Sequence, residues 1–376
     1  MVGSICYWLV GYALSYGETA GGFLGTTNFL LLDADTSFAG WFFQFVFNAT
    51  AATIVSGSVA ERVSFESYLI YSVFLTAFVY PVGTHWVWSD SAWLAAMGFK
   101  DFAGSTVVHG LGGAAAFSAC YFLGPRLGRF NPDGTPNQNV RGHSSLLTAL
   151  GGMLLWLGFL AFNGGSTLQC IVIEDDGSLT SIANDIAKIF GVTIMSGCGG
   201  TFILTNTGTS GGLSLLIYVR IRTGKWSVNK MINGSLAGLV SICASADDIQ
   251  FYNALVVGII GGAIYELGSN GLLKLKMDDP VDAIPVHLGG GIWGTIAAGL
   301  FRTGDSLFYT GNIRLLGIQV LGTVAVCSWS LITMGLFFAL LSYLKIYRVP
   351  EKDELSGLDE KKHDGAVYSN KSWSQL

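Results

Sequence analysis

The chain has 376 residues and a net charge of −5, with only 12% of its residues charged, 51% hydrophobic and a mean hydropathy of +0.52. Soluble domains carry roughly 25% charged residues, so this excess of apolar surface excludes an ordinary water-soluble fold and makes the bilayer the natural solvent. The net charge alone says little, and where the charges sit matters more; no nucleic-acid partner is expected. The 51 glycines suit membrane helices, whose packing relies on close backbone approach.

A span needs about 20 mainly apolar residues. Ten candidates follow in chain order: Ser4 to Ser15, Phe38 to Ala60, Ser67 to Val87, Gly104 to Leu123, Ser144 to Phe162, Ile186 to Tyr218, Met231 to Ala244, Phe251 to Leu272, Ala283 to Phe301 and Leu315 to Leu344. The sixth is too long for one simple span, and its helix cannot be placed from sequence. The expected fold is all-α, a polytopic transmembrane helical bundle over residues 1–346 with a polar tail over 347–376. No small-residue cleavage site follows the first apolar run, so no cleavable signal peptide is expected.

Loop charges orient the bundle. With the N-terminus in the cytosol, sixteen basic residues fall inside, among them Arg62, Arg126, Arg129, Arg141, Arg220, Arg222, Lys225 and Lys230; only Lys100, Lys188, Arg302 and Arg314 fall outside. This positive-inside asymmetry places both termini in the cytosol. The outer loops carry Glu18, Asp33, Asp35, Asp90, Glu174, Asp175 and Asp176, which either concentrate cations at the entrance or merely mark loops without basic residues. Cys6, Cys120, Cys170, Cys198, Cys243 and Cys327 show no metal-ligand spacing and read as small packers. No cofactor is expected.

Asp101-Phe-Ala-Gly-Ser-Thr-Val-Val-His109 opens one span and Asp279-Pro-Val-Asp-Ala-Ile-Pro-Val-His287 another, and glycines follow both histidines. The two spans run in opposite directions, the mark of an inverted-topology repeat with its transport site at the repeat interface. His109 and His287 lie in apolar spans, His85 at a membrane edge, and His143 and His363 in polar segments. A membrane histidine either bonds a nearby carbonyl or faces a pore, and repetition of the pair favours the pore. Two imidazoles in contact can pass a proton. Asp101 reads as an N-cap at the start of its span, a role compatible with one in a site, and Asp279 is expected to cap likewise.

These motifs resemble the ammonium transporter family, the Amt branch of the Amt/Rh proteins. Gly11-Tyr-Ala-Leu-Ser-Tyr-Gly17, Ala60-Glu-Arg62, Phe162-Asn-Gly-Gly-Ser166, Asn233-Gly-Ser-Leu-Ala-Gly238 and the tail from Arg348 to Asp359 carry the resemblance across nearly the whole chain. It implies a homotrimer of ammonium or ammonia pores in the plasma membrane, each recruiting the ion at an outer aromatic site. By position, His109 and His287 match the twin pore histidines, Asp101 the aspartate that supports recruitment, Trp88 the outer aromatic wall and Phe47 a gate, with Phe43 beside it. The second gate aligns with Phe190 or with a segment through Asn206-Thr207. Gly357 lies in the tail that the family uses for regulation. The family usually has eleven spans and an outer N-terminus, whereas this sequence begins where the second would begin, so the first is expected to be absent.

Ammonium has no alkyl surface, so a site must hold it by cation–π contact and hydrogen bonds. Without the resemblance, Trp88 and Phe47 would read as packing or interfacial anchors. An Rh-like neutral ammonia channel and an ammonium sensor signalling through its tail are the alternatives. No catalytic motif supports an intramembrane enzyme.

Overall fold

The structure, a computed structural model, describes residues 1–32, 37–137, 140, 142–173, 179–203, 213–214, 227–359 and 362. Asp33, Asp35, Arg141, Glu174, Asp175, Asp176, Asn206, Thr207, Arg220, Arg222, Lys225 and His363 lie outside the described residues.

Among the described residues, ten long helices form the bundle: α1 (residues 2–16), α2 (Phe38–Ser58), α3 (residues 65–88), α4 (Ser105–Leu123), α5 (Ser145–Gly165), α6 (Ala183–Thr201), α7 (Val228–Ile242), α8 (Phe251–Lys274), α9 (Ile284–Phe301) and α10 (Arg314–Tyr343). Serines start several of them. Ser37, Ser64, Ser144 and Ser227 sit in extended backbone, and each side-chain oxygen accepts an N–H from the first turn, at Gly40, Ser67, Leu147 and Lys230.

Among the described residues, seven helices are long and apolar enough to cross a membrane. The other three of the ten expected spans are shorter or more polar. Helix α7 has 15 residues. Helix α6 has 19, with Asp185 in its first turn. The uncertain stretch from Ile186 to Tyr218 thus begins as α6, which starts three residues earlier and ends at Thr201. The chain is a multi-pass integral membrane protein with little sheet.

Among the described residues, π turns interrupt the helices at Tyr7–Gly11, Leu75–Val79, Ser105–Gly110 and Ile284–Gly289. The second precedes Pro81, which lacks an N–H and cannot continue the ladder. Nearby carbonyls take side-chain donors instead: Asn48 Nδ2 donates to Thr76 O at 3.3 Å and Trp329 Nε1 to Val79 O at 2.9 Å. In hydrocarbon such repairs are obligatory, because no water is at hand.

One core joins α2, α3, α4 and α10, a second lies among α5, α7 and α9, and a third lies between α6 and α8. Helices α6, α7 and α8 touch backbone to backbone. A Cβ at Gly238 or at Gly258 would overlap the Ser196 carbonyl from either side. Gly258→Ala should therefore lower folded stability by about 1–3 kcal/mol. Thermal unfolding of the purified protein in detergent measures this, and an unchanged midpoint would show that α6 and α8 separate more freely than they pack here.

Candidate functional site

The π turns of α4 and α9 cross at the centre of the bundle. The crossing is reciprocal: a Cβ on Gly113, four residues after His109, would overlap the Leu288 backbone, and one on Gly291, four after His287, would overlap Gly110 N and Ser105 O. This contact brings the two histidines together. Their Nδ1 atoms stand 3.1 Å apart, with ring centroids 5.1 Å apart and planes 21° from parallel. One Nδ1 must donate and the other accept, so a neutral pair holds one proton on Nδ1 and the other on Nε2. His109 is buried, and its Nε2 has no hydrogen-bond partner.

His85 differs. It is buried with both nitrogens engaged, Nδ1 on Ser15 O at 2.9 Å and Nε2 on Thr19 Oγ1 at 2.8 Å. Saturation on both sides makes it a core histidine that ties α3 to α1.

Asp101 explains how α4 can begin inside the protein. Its Oδ1 accepts N–H from Gly104 at 3.1 Å and Ser105 at 2.7 Å, and its Oδ2 accepts from Thr106 at 2.8 Å and Val107 at 2.9 Å. Four N–H groups otherwise orphaned at a helix start are thereby satisfied by one carboxylate. The Asp101 carbonyl accepts the Trp88 indole N–H at 2.8 Å, which fixes the ring.

From Trp88 an aromatic ladder runs to the histidines. Phe47 meets Trp88 edge-on at 5.8 Å between centroids and stacks on Phe162 at 3.9 Å, with planes 17° apart. Phe43 lies 4.6 Å from Phe47. Phe162 and Phe159 each lie 5.5 Å from the His109 ring. The Phe47–Phe162 stack leaves no passage between its rings.

The model of the Ammonium Transporter Family matches residues 1–368. The chain belongs to this family. It is 38% identical to a putative ammonium transporter 1 member 5 of Arabidopsis thaliana, covering 97% of this chain and 77% of that one. It is 34% identical to ammonium transporter 3 of Dictyostelium discoideum, covering 97% and 83%. The solved structure of a sensor Amt protein matches with a TM-score of 0.85 at 33% identity, covering 97% of this chain and 87% of that one. Mep2 of Saccharomyces cerevisiae shares the fold, with a TM-score of 0.79 at 22% identity over 94% of this chain and 78% of that one.

In this family member Asp101, Trp88, Phe47, Phe43 and the two histidines are brought together, through Phe162, in one connected set of contacts. Phe190 does not join the aromatic ladder. It is 37% exposed, on α6, with its ring edge against Gly164. The ring opposite Phe47 is Phe162, which sequence reasoning does not single out, although it opens the Phe162-Asn-Gly-Gly-Ser166 motif. The signal that could have found it is that motif's place at the end of an apolar span, one helical turn beyond Phe159.

On the far side, Asp278 gathers cations. Arg126 Nε meets its Oδ2 at 2.7 Å and Arg129 Nε its Oδ1 at 3.1 Å. Burial alone would push the Asp278 carboxyl up, but the Arg126 hydrogen bonds and charge hold it below the usual carboxylate range. Arg62, fully buried, donates to four carbonyls, at Gly124, Ser58, Ala60 and Asp278. The tail docks beside this cluster on its own chain: Glu354 Oε1 accepts Leu127 N–H at 2.8 Å, and Arg348 pairs with Glu354 at 2.9 Å.

Asp101→Ala should cost at least about 3 kcal/mol, since four N–H groups lose their acceptor and each buried orphan costs about 1–3 kcal/mol. Asp101→Asn, which keeps one acceptor oxygen, should lose less. Chemical denaturation in detergent ranks the three proteins, and equal stability for parent and alanine variant would mean that the cap is dispensable.

Proposed function

We propose that the chain carries ammonium or ammonia across the plasma membrane, recruiting the ion at Trp88, passing it between Phe47 and Phe162, and relaying its proton through His109 and His287. The observation that carries this reading is the 3.1 Å Nδ1–Nδ1 contact between two histidines at the end of an otherwise aromatic passage. Trp88 and Phe47 offer ring faces to a cation, with Asp101 as the fixed support beneath Trp88. Phe43 leans on Phe47 and belongs to the same gate. Phe190, packed against Gly164, takes no part in this gate.

The chemistry separates ammonium from other cations. Hydrated K⁺ and Na⁺ cannot shed a proton, and an apolar pore gives them no replacement for their water shell. Ammonium can release a proton and continue as neutral ammonia. A proton passed from His109 to His287 then moves charge through a path separate from the gas, and the net transport is electrogenic.

The excess of basic residues in one set of loops supports cytosolic termini. Residues 1–346 form the transporter domain and 347–376 the tail. Exposed apolar side chains along α5, such as Leu146 and Met153, suit lipid or the neighbours in a homotrimer. Gly357 ends the Glu351–Ser356 helix at φ +85°, a conformation that strains any other residue, so the tail's docking depends on it.

Current under voltage clamp, with surface abundance measured in parallel, tests the reading. The parent should give a saturable inward current on adding ammonium. Trp88→Ala should raise the half-saturating concentration about 5- to 30-fold, the equivalent of losing a cation–π contact of about 1–2 kcal/mol. His109→Ala should abolish the saturable current. Uptake of ammonia without current would favour a neutral gas channel, and no flux from a chain at the surface would reject transport in favour of sensing. Gly357→Asp should reduce flux at equal abundance, and unchanged uptake would remove the tail from activity.

A further inference from the structure

Buried side-chain polar atoms without a hydrogen-bond partner are not spread evenly through the bundle. Eight of the thirteen among the described residues belong to α1, α2 and α3. Tyr71 lies apart, packed on Phe338. Five others are the hydroxyls of Tyr7 and Tyr16 on α1 and of Tyr80 and Thr84 on α3, and Oδ1 of Asn48 on α2. Trp41 and Gln44 supply the last two, on the face of α2 that Asn48 shares by its spacing. A polar group buried in a membrane protein is costly without a partner, so a concentration of this kind needs a cause.

These groups share one corner. Thr84 lies one turn beyond Tyr80 on α3, and the Tyr7 and Tyr16 phenols are close enough to interact electrostatically with that of Tyr80. Asn48 Nδ2 reaches across to Thr76 O at 3.3 Å, and Ser15 Oγ reaches Pro81 O at 3.5 Å. Both bonds are longer than the usual distance of about 2.7–3.0 Å. The helices cannot move together to shorten them. The π turns of α1 and α3 meet here, and a Cβ on Gly11 would already overlap Thr76 O. At the Trp88 end, His85 fixes α3 to α1 through Ser15 O and Thr19 Oγ1. The backbones are thus pinned, and the hydroxyls between them stay unjoined.

The chemistry of the corner defines what can fill it. Phenol and threonine hydroxyls both donate and accept, while Asn48 Oδ1 only accepts, so an occupant must do both. It must also be neutral. Asp101 is the acid whose charge reaches Tyr80, and both its oxygens are already filled by N–H groups. A cation here would be buried without a counter-charge. The contact at Gly11 keeps the occupant small. Water meets all three conditions.

We propose that the corner between α1, α2 and α3 is a binding site for water, whose molecules bridge Tyr7, Tyr16, Tyr80, Thr84 and Asn48. The site is separate from the aromatic ladder and independent of the transport reading. It still bears on the ladder. Asn48 follows Phe47 on α2, and Thr84 lies one turn before Trp88 on α3. The bound water therefore joins the two helices that carry these rings. A dry corner and a hydrated one differ in the sign of one substitution. Removing a hydroxyl from a dry corner removes an unpaired group and stabilises the fold, whereas removing it from a hydrated corner takes a partner from bound water and destabilises it.

Two measurements on the full chain in detergent test this. A brief X-ray pulse splits water and oxidises the side chains beside it, and mass spectrometry reads which ones. Tyr7 and Tyr80 are fully buried, and so is the control Tyr347, whose hydroxyl donates to Ala119 O at 3.1 Å. Tyr7 and Tyr80 should be oxidised at least about fivefold faster than Tyr347, because water stands against them. A smaller ratio would overturn the proposal. The second measurement is the thermal midpoint of Tyr80→Phe, a change that keeps the ring and its packing. It should fall by about 1–3 °C. An equal or higher midpoint would mean that the Tyr80 hydroxyl has no water to lose, and would overturn the proposal as well.

Discussion

Two helix backbones touching at the centre of a bilayer protein set the terms for the rest of this structure. Because Gly113 and Gly291 carry no side chain, α4 and α9 approach until backbone meets backbone on both sides of the crossing. In membranes this close packing replaces the hydrophobic drive that water supplies to soluble bundles. It also decides where His109 and His287 stand, one residue from the contact on each helix. Widening the crossing by one methyl group would part the imidazoles, because their 3.1 Å spacing has no slack for hydrogen bonding. The histidine pair is therefore a property of the glycines as much as of the histidines.

A helix that starts inside a protein exposes N–H groups where water cannot reach them. Asp101 answers this at α4 with a carboxylate that meets four of them, and through its carbonyl it also anchors Trp88. One residue thus fixes both a helix start and the first ring of the aromatic ladder. On the tail side the same task is spread over Arg62, Asp278, Arg126 and Arg129, whose bonds join the ends of α2 and α4 to the α8–α9 loop. Burying so many charges is costly unless each is paired. In this cluster each of them has a partner.

Much of the arrangement is legible in the sequence where it depends on spacing along one helix. The eight-residue interval from aspartate to histidine, repeated with glycines after it, marks both histidines along the chain. Span existence follows from apolar run length, and the serine caps mark several starts. What depends on three helices meeting is not written locally. Phe162 becomes the partner of Phe47 only because α5 lies across α2, and nothing in Phe162-Asn-Gly-Gly-Ser166 shows which face of α5 that will be. Phe190 sits in a stretch with no clear period, so its distance from the ladder could not be read. The shortness of α7 and the polar start of α6 blurred the count of spans for the same reason: tertiary contact, more than length, holds them in the bundle.

The π turns bear on how this protein can change over time. Each one holds an extra residue within a single turn, and an α-helix advances about 100° per residue. Losing one residue between Ser105 and Gly110 would relax that turn to an ordinary helix and leave the later side chains of α4 in their phase relative to Asp101, whereas a loss elsewhere in the helix would rotate them by roughly that angle. The same holds for Ile284–Gly289 and Asp279. Single-residue changes of length can thus be absorbed at these two places without turning the rest of either helix. Each surplus residue marks a place where its helix can change length and keep its phase.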